Sequence, residues 1–181
     1  MSHDIRILDA AAARAALPAL VGILVDCVNG GASVGFMNPF GPANAHPWWE
    51  DVIAEVEAGR TVLFGAIAEG DIAGTAQLVP ATKPNQPHRA DVSKLLVHTK
   101  ARGRGIGAAL MQAVEGEARR RGLRLLVLDT ATGSDAERFY PRLGWERTGV
   151  IPDYALWPDG GLCDTTVFYK RLPAADAGDA I

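Results

Sequence analysis

One stretch restricts the folds open to this chain more than any other: Lys94-Leu95-Leu96-Val97-His98-Thr99-Lys100-Ala101-Arg102-Gly103-Arg104-Gly105-Ile106-Gly107-Ala108. Val92 to Val97 reads as a strand, and Ile106, Leu110, Ala113, Val114 and Ala118 then repeat at helical spacing up to about Arg121. Leu123 to Leu128 is a continuous apolar run, the pattern of a strand buried on both faces. A strand, a crossover helix and a second strand pair the two strands in parallel, so the chain is expected to be α/β with a βαβ unit. Between strand and helix, Gly103, Gly105 and Gly107 let backbone N–H groups approach an anion. The helix starting at Ile106 turns its unpaired N–H groups and positive dipole end to the same point. With Arg102 and Arg104 as charge-assisted donors, the turn is predicted to cradle phosphate. The bland alternative is a tight turn with solvated arginines.

The rest of the chain supplies the remainder of a sheet. Ile5 to Leu8 alternates as a strand would, and Asp9 stands where an N-cap starts the Ala/Leu-rich stretch through Val28, which Pro18 kinks or divides. Asn29 to Pro47, rich in glycine and proline, is expected to be a long loop of the kind that carries function. A helix from Trp48 to Ala58 follows, stopped by Gly59. Thr61–Ala68 and Ile72–Val79 flank Glu69-Gly70-Asp71 as an antiparallel hairpin, with Ala81 to His88 as its exit loop. Asp135 to Leu143 is a short helix closed by Gly144, and Trp145–Ile151 and Asp164–Arg171 are the last strands. The expected architecture is a mixed, mostly antiparallel twisted sheet with one parallel strand pair, flanked by helices. One domain is expected over residues 1–172, with 173–181 a flexible tail.

Composition narrows the function. Of 181 residues, 48% are hydrophobic and 22% charged, which suits a soluble globular domain and excludes a disordered or fibrous chain. The formal net charge of -3 argues against nucleic acid as a partner, since neutralising phosphates takes a basic field. No signal peptide or membrane-spanning run is visible, so a cytoplasmic protein is expected, monomeric or homodimeric. Cys27 and Cys163 are read as free thiols, and the four histidines show no metal-ligand spacing, so no metal is expected.

Two coenzyme classes compete for the cradle. Gly103 to Ala108 also satisfies G-x-G-x-x-A, and Asp129 ends the next strand where a ribose-binding acid would stand, which would make the chain a Rossmann-type oxidoreductase. Against this, His98 to Arg102 separate the strand from the first glycine, and the chain after Asp129 is too short for a second nucleotide-binding half. Arg102-Gly103-Arg104-Gly105-Ile106-Gly107 instead resembles the [Q/R]-x-x-G-x-[G/A] signature of the GNAT N-acetyltransferases, whose loop binds the pyrophosphate of acetyl-coenzyme A. Ala136-Glu137-Arg138-Phe139-Tyr140-Pro141-Arg142-Leu143-Gly144-Trp145 resembles the same superfamily's A-x-x-F-Y-x-x-L-G-[FW] segment. Many members carry Asn where this chain has Gly133, and Ser134 is the expected replacement contact. Gly31 to Met37, Gln86 to Asp91 and Leu128-Asp129-Thr130 resemble segments of the tabtoxin-resistance acetyltransferases, which acetylate an amine of a β-lactam amino-acid toxin.

The resemblance implies an acetyl-coenzyme A-dependent N-acetyltransferase. The coenzyme set would be Leu96, Val97, Arg102, Gly103, Arg104, Gly105, Ile106, Gly107, Ala108 and Ser134. Acetyl transfer to an amine needs a free lone pair, a place for oxyanion charge and a proton for the departing thiolate. An alkylamine is almost wholly protonated at neutral pH, so an acidic side chain near it is useful, and Asp129 and Asp91 are the candidates. A phenol keeps its proton at neutral pH and can donate it, and the resemblance puts the general acid at Tyr140. A backbone N–H near Leu96 would meet the oxyanion. Ser33, Phe36, Asn38, His88 and Trp157 are the expected substrate walls, around a small polar amine. A non-catalytic coenzyme A sensor on the same fold is the alternative.

Overall fold

The β-branched and apolar runs pair into one seven-stranded sheet in the computed structural model, which describes residues 4–173. The strands are β1 (Asp4–Leu8), β2 (Val62–Ala68), β3 (Asp71–Pro80), β4 (Arg89–Val97), β5 (Leu125–Ala131), β6 (Glu146–Leu156) and β7 (Leu162–Arg171). Their order is β1-β2-β3-β4-β5-β7-β6, and among the described residues only β4 and β5 run parallel. This is the expected mixed sheet, and it excludes the Rossmann reading, which needs several parallel strands. Of the tail expected over 173–181, residues 174–181 lie outside the described residues.

Among the described residues five α-helices flank the sheet: α1 (Ala10–Ala15), α2 (Leu17–Asn29), α3 (Pro42–Glu57), α4 (Ile106–Arg120) and α5 (Asp135–Phe139). The Asp9 side chain accepts from Ala12 N at 2.8 Å and so caps α1. Pro18 divides the following stretch by occupying the first turn of α2, where its missing N–H costs nothing. The loop expected over Asn29–Pro47 is shorter than its composition suggests. Pro42 starts α3, Asn44 Oδ1 accepts from Gly41 N at 3.1 Å, and Pro47 lies inside the helix. Proline's fixed φ suits a first turn, so only residues 30–41 remain outside helix.

Alternation along the strands creates two cores. Val62, Phe64, Ala76 and Leu78 face α4, joined by Leu110, Met111, Val114, Leu126 and Phe168. Leu63 and Leu96 point the other way, into the layer of α1, α2 and α3 with Leu20, Leu24, Trp49 and Ile53. Helices therefore cover both faces of the β1–β4 half, whereas α4 and α5 cover only one face of the other half. That explains a second departure from expectation. β5 is not buried on both faces: Leu126, Leu128 and Ala131 are buried, Leu125 and Val127 only partly, and Asp129 is exposed. The final strands are longer than their apolar cores, because β6 continues past Ile151 to Leu156 as an exposed edge.

Candidate active site

The site begins where the parallel pair ends. β4 and β5 are in register only at Arg89/Leu125, Ala90/Leu126 and Asp91/Val127. Beyond Asp91, β4 stays with β3 and β5 stays with β7, so the strands part and the β5-facing edge of β4 has no strand partner. A hollow of ≈ 290 Å³ lies at this split, lined by Asp91, Ser93, Asp129, Tyr154 and Thr165 among others. Both expected acids are thus at one cleft. Asp129 Oδ2 accepts from Thr165 Oγ1 at 3.0 Å, and Asp91 Oδ1 accepts from Arg89 Nη1 at 2.9 Å. A larger hollow of ≈ 370 Å³ beside α3, lined by Trp48, Asp51 and Gln77, holds none of the expected residues.

Tyr140 follows α5 and is only 6% exposed, packed against Phe139, Trp145 and Phe168 with ring centroids 5.5–6.1 Å away. Burial pushes its phenol well above the usual tyrosine value, and the negative charge of Asp129 pushes it further. The group therefore carries its proton throughout the neutral range.

The glycine turn adopts the expected geometry. A single 3₁₀ turn (Thr99–Ala101) leads from β4 into it, and Gly105, at φ 82°, is the N-cap of α4. No side chain caps this helix, so its first N–H groups are left for another acceptor. Gly74 on β3 allows the helix to sit close: a Cβ there would stand 3.0 Å from Leu96 O and 3.1 Å from Ile106 Cγ2. Leu96 is buried in the α1–α3 layer and Ile106 in the α4 layer. Gly103 and Ala108 flank the turn, and Gly107 lies against Phe139, whose Cζ would be 3.4 Å from a Cβ.

The two arginines are not both free for phosphate. Arg102 Nε donates to Val97 O at 3.1 Å and Nη2 approaches Cys27 Sγ at 3.7 Å, so its head is turned back onto the fold. Arg104 pairs with Glu69 at 2.7 Å on the exposed hairpin, a contact of little energetic weight that a ligand can displace. Ser134 also has local work. It caps α5 by accepting from Glu137 N at 3.2 Å and donates to Ala131 O at 2.6 Å.

Residues 30–41 form a strap rather than a free wall. Ser33 Oγ donates to Leu156 O at 3.0 Å, Asn38 Nδ2 to Asp159 Oδ1 at 2.7 Å, and Asn38 N to Pro158 O at 2.8 Å. The strap is thereby tied to the β6–β7 turn, where Trp157 lies half-buried. Phe36 packs tilted against Phe40 and edge-to-face against Trp48, with ring centroids 4.7 and 5.5 Å away. His88 is not brought to the cleft: it is exposed at the start of β4, with its carbonyl accepting from Arg124 and Leu125 N–H.

Two groups escape the sequence reading. Asp26 on α2 accepts from both Thr99 N and Thr99 Oγ1 at 2.7 Å, which holds the start of the glycine turn. Lys94, in a bulge of β4, donates to Val34 O of the strap at 2.9 Å. The available signal for each was a lone charge within an apolar run.

A sheet split lined by two acids, beside an uncapped helix N-terminus, suits a coenzyme-dependent acyl-transfer enzyme. The acetyltransferase (GNAT) family model matches residues 32–145, and the chain belongs to that family. It is an acetyl-coenzyme A-dependent N-acetyltransferase. An L-methionine sulfoximine/L-methionine sulfone acetyltransferase of Pseudomonas paraeruginosa is 29% identical, over 79% of this chain and 84% of that protein. An uncharacterised N-acetyltransferase of Azospirillum brasilense, from the hisH-hisA intergenic region, is 36% identical over 78% of this chain and 85% of its own. Among solved structures, a ribosomal-protein-alanine N-acetyltransferase of Brucella melitensis superposes with a TM-score of 0.77 at 26% identity, over 93% of this chain and 99% of the other. Among the described residues no helix is long and apolar enough to cross a membrane.

Proposed function

We propose that this enzyme acetylates the primary amine of a small amino-acid-like molecule, a β-lactam amino-acid toxin or a methionine sulfoximine-like compound being the class in view. The observation that carries the reading is the ≈ 290 Å³ cleft with Asp91 and Asp129 in its lining. A hollow of that size suits a compact ligand, and a strap tied to the β6–β7 turn suits a covered one. The relative named for methionine sulfoximine and methionine sulfone supports the same class.

Acetyl-coenzyme A supplies an activated thioester. The residues that fit it are the open edge of β4 at Leu96 and Val97 and the turn from Gly103 to Ala108, whose N–H groups and positive φ at Gly105 suit a pyrophosphate. Arg104 is the side chain placed to add charge, while Arg102 shapes the turn from behind. Asp129, held by Thr165, receives the ammonium of the acceptor and takes its proton. Tyr140, held protonated chiefly by burial and to a lesser extent by the charge of Asp129, donates its proton to the departing sulfur.

Asp129→Asn tests the assignment. Transfer to the best amine should fall about a hundredfold or more at neutral pH, with acetyl-coenzyme A binding retained. Activity should recover in part as pH rises toward the acceptor amine's own pKa, where free amine is abundant. A pH profile parallel to that of the wild type would contradict the role of Asp129.

A further inference from the structure

We infer that Lys94 receives an anionic group of the acceptor, a carboxylate in the amino-acid class, and so sets a preference for amino acids over plain amines. The inference rests on the function proposed above and assigns a residue to its second recognition element.

Lys94 interrupts an apolar strand, and the fold makes special provision for it. Thr75 pairs with Leu96 but Gln77 pairs with Ser93, so Ala76 faces a bulge containing Lys94. Its φ of 50° is left-handed, a conformation a lysine adopts only when its surroundings impose it. The extra residue changes which side chains share a face: Ala90 and Val92 point to α4, whereas Leu96 points to the α1–α3 layer.

The ammonium donates to Val34 O at 2.9 Å and stands 5.9 Å from the Phe36 ring centre and 5.6 Å from that of Trp48. A Cβ at Gly35 would lie 3.9 Å from it, so the strap passes directly over the group. An ammonium has three donors, and the carbonyl uses one. Among the described residues no carboxylate forms a direct ion pair with it, and the negative charge of Asp129 acts on it only from a distance, so the half-buried cation keeps two donors for an anion. Burial pushes Lys94 below the usual lysine value, and the charge of Asp129 opposes that shift. Asp129 lines the cleft, as does Ser93, the neighbour of Lys94 in β4. A cation under the strap and a carboxylate in the cleft match the two charges of a zwitterionic amino acid.

A strap anchor alone would explain the bond to Val34, and the test separates the two roles. Rates are measured for L-methionine sulfoximine and for its decarboxylated amine, with wild type and Lys94→Met. The wild type should prefer the amino acid, and the ratio of the two kcat/KM values should fall about tenfold or more in Lys94→Met, chiefly through KM, with part of it kept by Lys94→Arg. In the wild type, the deaminated acid of the same skeleton should inhibit competitively against the amino acid, a result that does not depend on the variant folding. Equal use of both substrates by the wild type, an unchanged ratio in the variant, or no inhibition by the acid would each overturn the inference while leaving amine acetylation standing. A wild type that acetylates only peptides would overturn both.

Discussion

Tyr140, the proposed general acid, is held protonated first by its burial and then by the negative charge of Asp129, so neutralising Asp129 relieves only the smaller of the two effects. Tyr140→Phe removes the hydroxyl and little volume, so turnover should fall by about 10²–10⁴-fold with coenzyme affinity nearly unchanged. A loss below about fivefold, roughly 1 kcal/mol of barrier, would return the residue to packing against Phe139, Trp145 and Phe168. Tyr140 is legible in the sequence because a motif surrounds it, and Asp129 because it follows an apolar run, although β5 continues past it to Ala131. Lys94 is not, since nothing in a strand pattern announces the bulge that turns it beneath the strap. Ser33 and Asn38 are found in the right region, yet their side chains hold the β6–β7 turn. Contacts between segments so far apart in sequence leave no local trace.

At the scale of elements, the glycine turn depends on α2 as well as on its own sequence. Burial pushes the Asp26 carboxyl up, but the two bonds from Thr99 and the charges of His98 and Arg102 outweigh it and hold the group below the ordinary carboxylate range. Because the folded value is depressed, this contribution is complete above the unfolded value of about 4 and is lost as pH falls through the folded one. Asp26→Ala should cost about 1–2 kcal/mol at neutral pH. In thermal unfolding the gap from wild type should close as the solution is acidified; a gap independent of pH would contradict the account. Gly105→Ala addresses the turn directly: at φ 82° a side chain costs about 1–2 kcal/mol of strain and obstructs the approach of a pyrophosphate. Acetyl-coenzyme A should stabilise the wild type by about 2.7 kcal/mol at a hundredfold excess over Kd, and this variant far less. An undiminished shift would remove the turn from the coenzyme site. The strand-turn-helix unit is legible because its glycines and periodicity agree, whereas the start of α3 is hidden by prolines that suit a helix's first turn as well as a loop.

In the whole molecule, the sheet is covered on both faces in its first half and splits where β4 leaves β5, and both acids line that split. The first hairpin and the single parallel pair follow from sequence patterning, but the insertion of β7 between β5 and β6 and the bonds between the strap and the β6–β7 turn do not. The ≈ 290 Å³ cleft underlies the central claim, that the acceptor is a small amine and not a protein terminus. Release of coenzyme A thiol from acetyl-coenzyme A tests it most directly, measured with L-methionine sulfoximine, a β-lactam amino acid, simple amines and peptides beginning with alanine. The account predicts saturable thiol release with the small amino acids and only background release with the peptides. Saturable release with an alanine peptide and none with the small amines would contradict it.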